Sequence, residues 1–204
     1  MRLALLGPAE GQPGPLESAV RLVLSTDGVD RALYLGIDGA LDAVVRKLAT
    51  ELVGDNPSTD AVWARSARAC LRSPAPEIDE YIVAERARLR LRLFESLPDA
   101  ETRAVEMLGG TLALMIYDKE RLDEEDLLPA RILTFGKSRT SVVKQVGKRW
   151  FLSPGFIGEG GVMLLEDTDS GILLTLLDSG GRTLRRETLA TPSTAKVRVS
   201  GASG

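Results

Sequence analysis

The stretch ALYLGIDGALD, residues 32–42, passes from an apolar run to a turn and then into an amphipathic helix. Its first four residues predict a buried strand, and the glycines at 36 and 39 predict a tight turn. Asp38 is the predicted N-cap of the helix, whose apolar face recurs at positions 41, 44, 45, 48 and 52. Residues 2–6, RLALL, begin the same series of strand, loop and helix earlier in the chain. Apolar strands that alternate with helices predict a largely parallel sheet that is covered on both faces.

The middle of the chain departs from this pattern. Residues 61–64 predict a weak third strand, and residues 78–94 predict a long helix with arginines at positions 86, 88, 90 and 92. Those arginines form either a solvated face or a docking face for an acidic partner. A short helix is predicted up to Leu108, and a strand is predicted after the glycine pair that follows it. The acidic residues at 123–126 predict a helix N-terminus, where negative charge is favourable.

The C-terminal half changes to short strands with few helices. Glycine-containing turns at residues 147–148, 169–171 and 179–181 predict hairpins that build an antiparallel sheet against the parallel one. The strands are predicted at residues 132–135, 142–146, 150–152, 162–166, 172–177 and 183–188. From Ala190 onward the sequence has no apolar period. We therefore predict one α/β domain over residues 1–189 and a disordered tail over residues 190–204.

The composition excludes several classes of chemistry. The 204 residues include no histidine, which removes catalytic triads, histidine general bases and imidazole metal ligands. The single cysteine, Cys70, has no partner for an internal disulfide. A net charge of −3 and a pI near 5.2 give no general attraction to nucleic acid. No stretch approaches the roughly 20 apolar residues of a membrane span, and we expect a cytoplasmic protein.

Three segments carry a resemblance to a known family: LALLGPAEG at residues 3–11, ALYLGIDGALD at residues 32–42, and ILTFGKSRT at residues 132–140, which FLSPG follows. The order of parts around them resembles the calcineurin-like metallophosphoesterase superfamily, in particular its small bacterial and archaeal phosphodiesterase branch and the retromer small subunit. The resemblance implies an αββα sandwich, in which two packed mixed β-sheets are flanked by helices. It also implies a two-metal site at the strand ends, which in that superfamily binds phosphate and activates a water.

The acidic ligands that such a site needs are displaced or missing. The first strand of the superfamily ends in Asp-x-His, and the corresponding residues 8–10 are proline, alanine and Glu10. The second strand ends in Gly-Asp, and here Ile37 takes the place of the aspartate, with Asp38 one position late. A shift of one residue on extended backbone turns a side chain to the opposite face. The histidine after the fourth strand of the superfamily falls near Asp118.

Two cations replace two further metal-facing imidazoles. The Gly-His-x-His segment of the superfamily corresponds to residues 136–139, which contain Lys137 and Arg139. A pair of unit charges about 4 Å apart interacts with roughly 4 kcal/mol at an effective dielectric near 20. A divalent ion beside either cation would therefore meet repulsion on the order of 8 kcal/mol.

We expect a catalytically inactive phosphoesterase-like protein that acts as a protein-interaction or regulatory module, with a protein partner, no metal and no cofactor. Two alternatives stay open. A divergent metal-dependent phosphoesterase would use an oxygen-ligand site of Glu10, Asp38 and Asp118 with Mg²⁺ or Mn²⁺. A non-hydrolysing phosphate- or nucleotide-binding protein would hold its anion with Lys137 and Arg139.

Overall fold

Two mixed β-sheets pack face to face and are flanked by helices in a computed structural model of the protein, which describes residues 1–54 and 56–190. This architecture is the predicted α/β sandwich. Of the predicted disordered tail, Ala190 alone belongs to the described residues, and residues 191–204 lie outside them.

The described residues form eleven strands. In chain order they are β1 (Arg2–Leu6), β2 (Arg31–Tyr34), β3 (Phe94–Ser96), β4 (Ala104–Leu108), β5 (Thr111–Ile116), β6 (Ile132–Phe135), β7 (Val142–Val146), β8 (Arg149–Ser153), β9 (Val162–Thr168), β10 (Gly171–Leu177) and β11 (Thr183–Leu189). The first sheet has the order β11-β10-β9-β1-β2-β3, and the second has the order β4-β5-β6-β8-β7. The hairpins predicted at the three glycine-containing turns are confirmed.

Both sheets mix parallel and antiparallel pairs. In the first sheet, β1 pairs with β2 and β2 with β3 in parallel, while β9 runs antiparallel beside β1. In the second sheet, β5, β6 and β8 are parallel neighbours, and β4 and β7 are antiparallel edge strands. The expectation of a separate antiparallel sheet is therefore wrong in one respect, because β9, β10 and β11 extend the first sheet instead of forming their own.

The described residues also contain five α-helices, which are α1 (Pro13–Ser25), α2 (Ala40–Val53), α3 (Val62–Arg72), α4 (Ala75–Arg90) and α5 (Glu124–Leu127). The predicted acidic N-terminus of α5 is confirmed: Asp123 and Asp126 form a reciprocal capping box. The predicted cap of α2 is wrong, since Gly39 is its N-cap. No helix of the described residues is both long and apolar enough to cross a membrane.

The continuous apolar sequence of β1 follows from burial on both faces. Leu3 and Leu5 point into the cluster between the two sheets, together with residues such as Met115. Ala4 and Leu6 belong to the cluster under α1 and α2. Because successive side chains of a strand point to opposite faces, both sets must be apolar.

Two predictions for the middle of the chain are wrong. Residues 61–64 hold the N-cap and first turn of helix α3 and not a strand, because alanine and arginine dominate this helix and favour the helical conformation. The third parallel strand is β3, directly after the long helix that was predicted to include Phe94. The segment before Gly109 is strand β4 and not a helix, since its side chains alternate between half-buried and exposed and it pairs with β5.

Candidate functional site

Loops from both sheets meet where β1, β2 and β6 end. The amide of Leu35 donates to the Leu6 carbonyl at 2.8 Å, which joins the ends of β1 and β2. The amide of Ile157 donates to the Pro8 carbonyl at 3.0 Å, and the loop that contains Ile157 thereby closes against the first loop. The contacts place the predicted site residues along one edge of the sandwich.

Glycines permit this close approach. A Cβ added at Gly136 would overlap the backbone carbonyl of Leu35, which follows β2. A Cβ added at Gly7 would overlap the carbonyl of Gly155 in the loop after β8. Backbones of the two sheets are therefore in direct contact at this edge, and any larger residue would force them apart.

Asp118 and Lys137 form an ion pair at this edge. The Lys137 Nζ donates to Asp118 Oδ2 at 2.6 Å, and the carboxylate also accepts from the Glu120 amide at 3.1 Å. The carboxylate is mostly buried, whereas the lysine side chain is about half exposed. The hydrogen bond from Lys137 lowers the pKa of Asp118, and the same bond raises the pKa of Lys137. The lysine thus neutralises the one carboxylate at the end of β5.

Asp38 belongs to a different network, which is centred on Tyr34. The fully buried Tyr34 hydroxyl accepts from the Ala9 amide at 2.8 Å and donates to Asp38 Oδ1 at 2.9 Å. Asp38 also accepts from the Ala40 amide at 3.1 Å at the start of α2. Burial raises the pKa of the Tyr34 hydroxyl, and the adjacent Asp38 carboxylate acts in the same direction. A Cβ at Gly36 would overlap the Tyr34 ring, so the glycine leaves room for it.

The other two predicted site residues point elsewhere. Glu10 is exposed in a turn and has a positive φ of 46°, and Gly11 beside it has a φ of 81°. Arg139 is exposed, and its carbonyl accepts from the Phe156 amide at 2.9 Å. Within residues 1–54 and 56–190, neither side chain forms an ion pair. Of the five predicted residues, the structure therefore pairs Asp118 and Lys137 with each other and leaves the rest apart.

These residues do not fit a metal centre. Among the described residues, no group of three or more histidine, cysteine, aspartate or glutamate side chains could hold a metal ion. Asp118 is neutralised by Lys137, and Asp38 accepts from Tyr34 and the backbone. The structure does not bring Glu10, Asp38 and Asp118 together as the oxygen-ligand alternative requires.

The apolar residues of the loop after β8 are buried. Phe156 is 7% exposed and Ile157 is fully buried, and both pack in one cluster with Ala9 and Leu16. They complete the core under α1 and form no exposed patch.

Sequence reasoning missed Tyr34. The signal was present, because a tyrosine in the otherwise aliphatic run ALYL carries a polar group that needs a buried partner. The third parallel strand was predicted at residues 61–64, but the loop that reaches this edge follows β3 and begins at Leu97. The Leu97 amide donates to the Tyr34 carbonyl at 3.3 Å, which fixes the position of that loop.

Solved structures with the same fold cover most of the chain. A predicted phosphoesterase from Streptococcus pneumoniae is 12% identical, with a TM-score of 0.50 over 93% of this chain and 99% of its own. An archaeal phosphodiesterase is 10% identical, with a TM-score of 0.50 over 87% of this chain and 100% of its own. Vacuolar protein sorting 29 from Cryptosporidium parvum is 18% identical, with a TM-score of 0.53 over 93% of this chain and 98% of its own.

The fold is therefore that of the calcineurin-like metallophosphoesterases, as the resemblance implied. No protein-family model matches the chain, and no curated protein is similar to it in sequence. Identities this low establish the architecture and leave the chemistry to be argued from the residues of the chain itself.

Proposed function

We propose that this chain, which has the calcineurin-like metallophosphoesterase fold, is catalytically inactive and acts as a protein-interaction or regulatory module. The observation that carries the proposal is the ion pair between Lys137 and Asp118, at the position where the superfamily places metal-facing imidazoles. A bound divalent ion would have to displace the lysine and overcome its charge. The Tyr34 hydroxyl occupies the neighbouring position between the Ala9 amide and Asp38, so a second ion would have to break that network too.

The orientation of α3 supports a protein partner. Trp63 and Leu71 are 82% and 83% exposed, whereas Arg65 on the same helix is 5% exposed. Arg65 Nε donates to Glu85 Oε1 on α4 at 2.6 Å, so α3 contacts the protein through its polar side. A typical surface helix has the opposite arrangement. Covering each exposed apolar side chain with a partner is worth about 1.5–3 kcal/mol.

The arginines at the end of α4 and directly after it support an apolar partner more than an acidic one. Arg88 is buried and its Nε donates to Glu85 Oε2 at 2.6 Å. Arg90 donates to the Thr26 carbonyl at 3.2 Å, and Arg92 donates to Thr59 Oγ1 at 2.9 Å. Most of the predicted arginine face is therefore engaged within the chain, and the exposed tryptophan and leucine of α3 are the better docking groups. A cytoplasmic location, where such a partner would be met, stays a prediction.

The catalytic half of the proposal is tested with purified full-length protein. Metal content is measured by mass spectrometry, and hydrolysis of bis-p-nitrophenyl phosphate is followed with and without added Mn²⁺. An active phosphodiesterase of the same fold serves as the positive control. We expect no stoichiometric metal and no hydrolysis above buffer. Near-equimolar bound metal together with turnover would overturn the proposal.

The partner half is tested by photo-crosslinking in the cells from which the protein comes. Benzoylphenylalanine replaces Trp63 on α3, and a control places it at the exposed Lys144 on β7. A discrete protein adduct at position 63 that is absent at position 144 is the expected result. Equal labelling at both positions, or none at either, contradicts a partner on α3.

A further inference from the structure

One segment of the second sheet contains basic side chains and no acidic ones to offset them. Between Leu127 and Gly158, which enclose β6, β7 and β8, the sequence has six basic side chains and no acidic one, in a chain whose net charge is −3. The six are Arg131, Lys137, Arg139, Lys144, Lys148 and Arg149. Such a segment places positive charge on one part of an acidic protein.

The basic residues divide between the two ends of β6. Lys137 and Arg139 follow the strand at the candidate functional site, and Arg131 precedes it. An extended strand rises about 3.3 Å per residue, so Arg131 and Lys137 are on the order of 20 Å apart. The second group is therefore separate from the candidate functional site.

Arg131, Lys148 and Arg149 come together at this second end. Because β6 and β8 are parallel and Ile132 is opposite Trp150, Arg131 and Arg149 occupy matching places at the start of neighbouring strands. Lys148 lies in the turn between β7 and β8. The three cations line a depression of about 360 Å³, which we call the basic pocket.

Apolar residues form the rest of the wall of the basic pocket, and a second depression lies beside it. Residues 128–130, a leucine, a proline and an alanine, form its remaining wall. Arg131 and Lys148 also line an adjoining depression of about 270 Å³, together with Gln145 and Ala190. The sequence that continues after Ala190, residues 191–204, has two more basic residues and no acidic one.

The cations of the basic pocket have no anionic partner among the described residues: neither Arg131, Lys148 nor Arg149 forms an ion pair there. Arg149 is also held in place, since its Nε donates to the carbonyls of Leu127 at 3.0 Å and Ala130 at 3.3 Å. Its outer guanidinium nitrogens remain for a ligand. Three clustered cations repel one another, and a multiply charged anion between them would remove that repulsion.

We propose that the basic pocket binds a small, multiply charged phosphate anion. Guanidinium groups match the geometry of phosphate oxygens, and a lysine adds a mobile charge. The small depressions suit a compact ligand, and the apolar wall of residues 128–130 suits the organic part of a phosphate ester. This site is distinct from the anion site that Lys137 and Arg139 would form, and it does not depend on the proposed partner.

The test is a titration of the full-length protein with inorganic pyrophosphate at low ionic strength. Heat is measured by calorimetry, and Trp150 fluorescence is followed in a Trp63→Phe variant, in which Trp150 is the single remaining indole. We expect saturable binding that weakens as salt rises. The double variant Arg131→Gln, Lys148→Gln should weaken binding at least tenfold.

A second double variant, Arg46→Gln with Arg86→Gln, makes the same change in net charge at exposed positions of α2 and α4, away from the basic pocket. We expect it to alter the affinity less than threefold, with circular dichroism reporting that both variants are folded. If both variants lose the same affinity for pyrophosphate, the binding depends on net charge alone, and the proposal is overturned. So would an absence of saturable binding, or tighter binding of a DNA oligonucleotide at physiological salt.

Discussion

Replacing Tyr34 by phenylalanine tests the physical account of the candidate functional site. The substitution removes one hydroxyl from a fully buried side chain and leaves the ring in place. Two hydrogen bonds disappear, the one from the Ala9 amide at 2.8 Å and the one to Asp38 at 2.9 Å.

The two losses have different costs. The Ala9 amide is buried, and an unpaired buried donor costs about 1–3 kcal/mol. Asp38 is exposed and keeps the Ala40 amide, so water replaces much of its loss. We therefore expect the free energy of unfolding to fall by about 2 kcal/mol, mostly through the amide. For a chain of this length, that corresponds to a Tm about 4–8 °C lower.

Urea unfolding followed by circular dichroism at neutral pH measures the effect. Tyr81→Phe is the matched control, because the Tyr81 hydroxyl is half-buried and bonds Ser66 at 2.7 Å without a charged partner. We expect the control to cost about 0.5–1 kcal/mol. If Tyr34→Phe costs less than about 0.5 kcal/mol, or no more than the control, the Tyr34 network does not hold the two loops together.

Three further predictions concern the site and the helices around it. Lys137 lowers the pKa of Asp118 in the folded protein below its unfolded value of about 4. The ionised carboxylate therefore stabilises the fold above about pH 4, and this stabilisation is lost as the pH falls through the folded-state pKa. In acid titrations of stability, Asp118→Asn should therefore flatten the decline below about pH 4, and an unchanged slope contradicts the ion pair. Gly136→Ala should lower the free energy of unfolding by at least about 3 kcal/mol, because the added Cβ overlaps a backbone carbonyl. The control Gly14→Ala, at an open position on α1, should lower it by less than about 0.5 kcal/mol. Similar urea midpoints for the two variants would contradict the close contact of Gly136 with the backbone of Leu35. Arg65→Ala should lower the free energy of unfolding by about 3 kcal/mol, because it leaves the buried Glu85 carboxylate with Arg88 as its one cationic partner among the described residues. A decrease below about 1 kcal/mol in urea unfolding would contradict the inward polar face of α3.

Local patterns predicted the parts of the fold that are buried on both faces. Strands such as β1 and β6 are mostly apolar, and burial between a helix layer and a second sheet leaves few alternatives for them. The hairpins after β7, β9 and β10 were also predictable, because glycines at their turns adopt positive φ. The two errors between helix and strand fell on α3 and β4, whose side chains are mostly half-buried or exposed. There the tertiary partner, and not the hydrophobic pattern, selects helix or strand.

The candidate functional site divides in the same way. By its composition the sequence determined that imidazole chemistry is impossible, and by its order it determined that cations follow β6. Only the tertiary structure pairs Lys137 with Asp118 and places the Tyr34 hydroxyl within hydrogen-bond distance of Asp38. It also brings the basic residues at the other end of β6 together in a separate pocket. The reason is that residue type is a property of one position, whereas an ion pair or a pocket depends on distances between strands, which the packing of the two sheets sets.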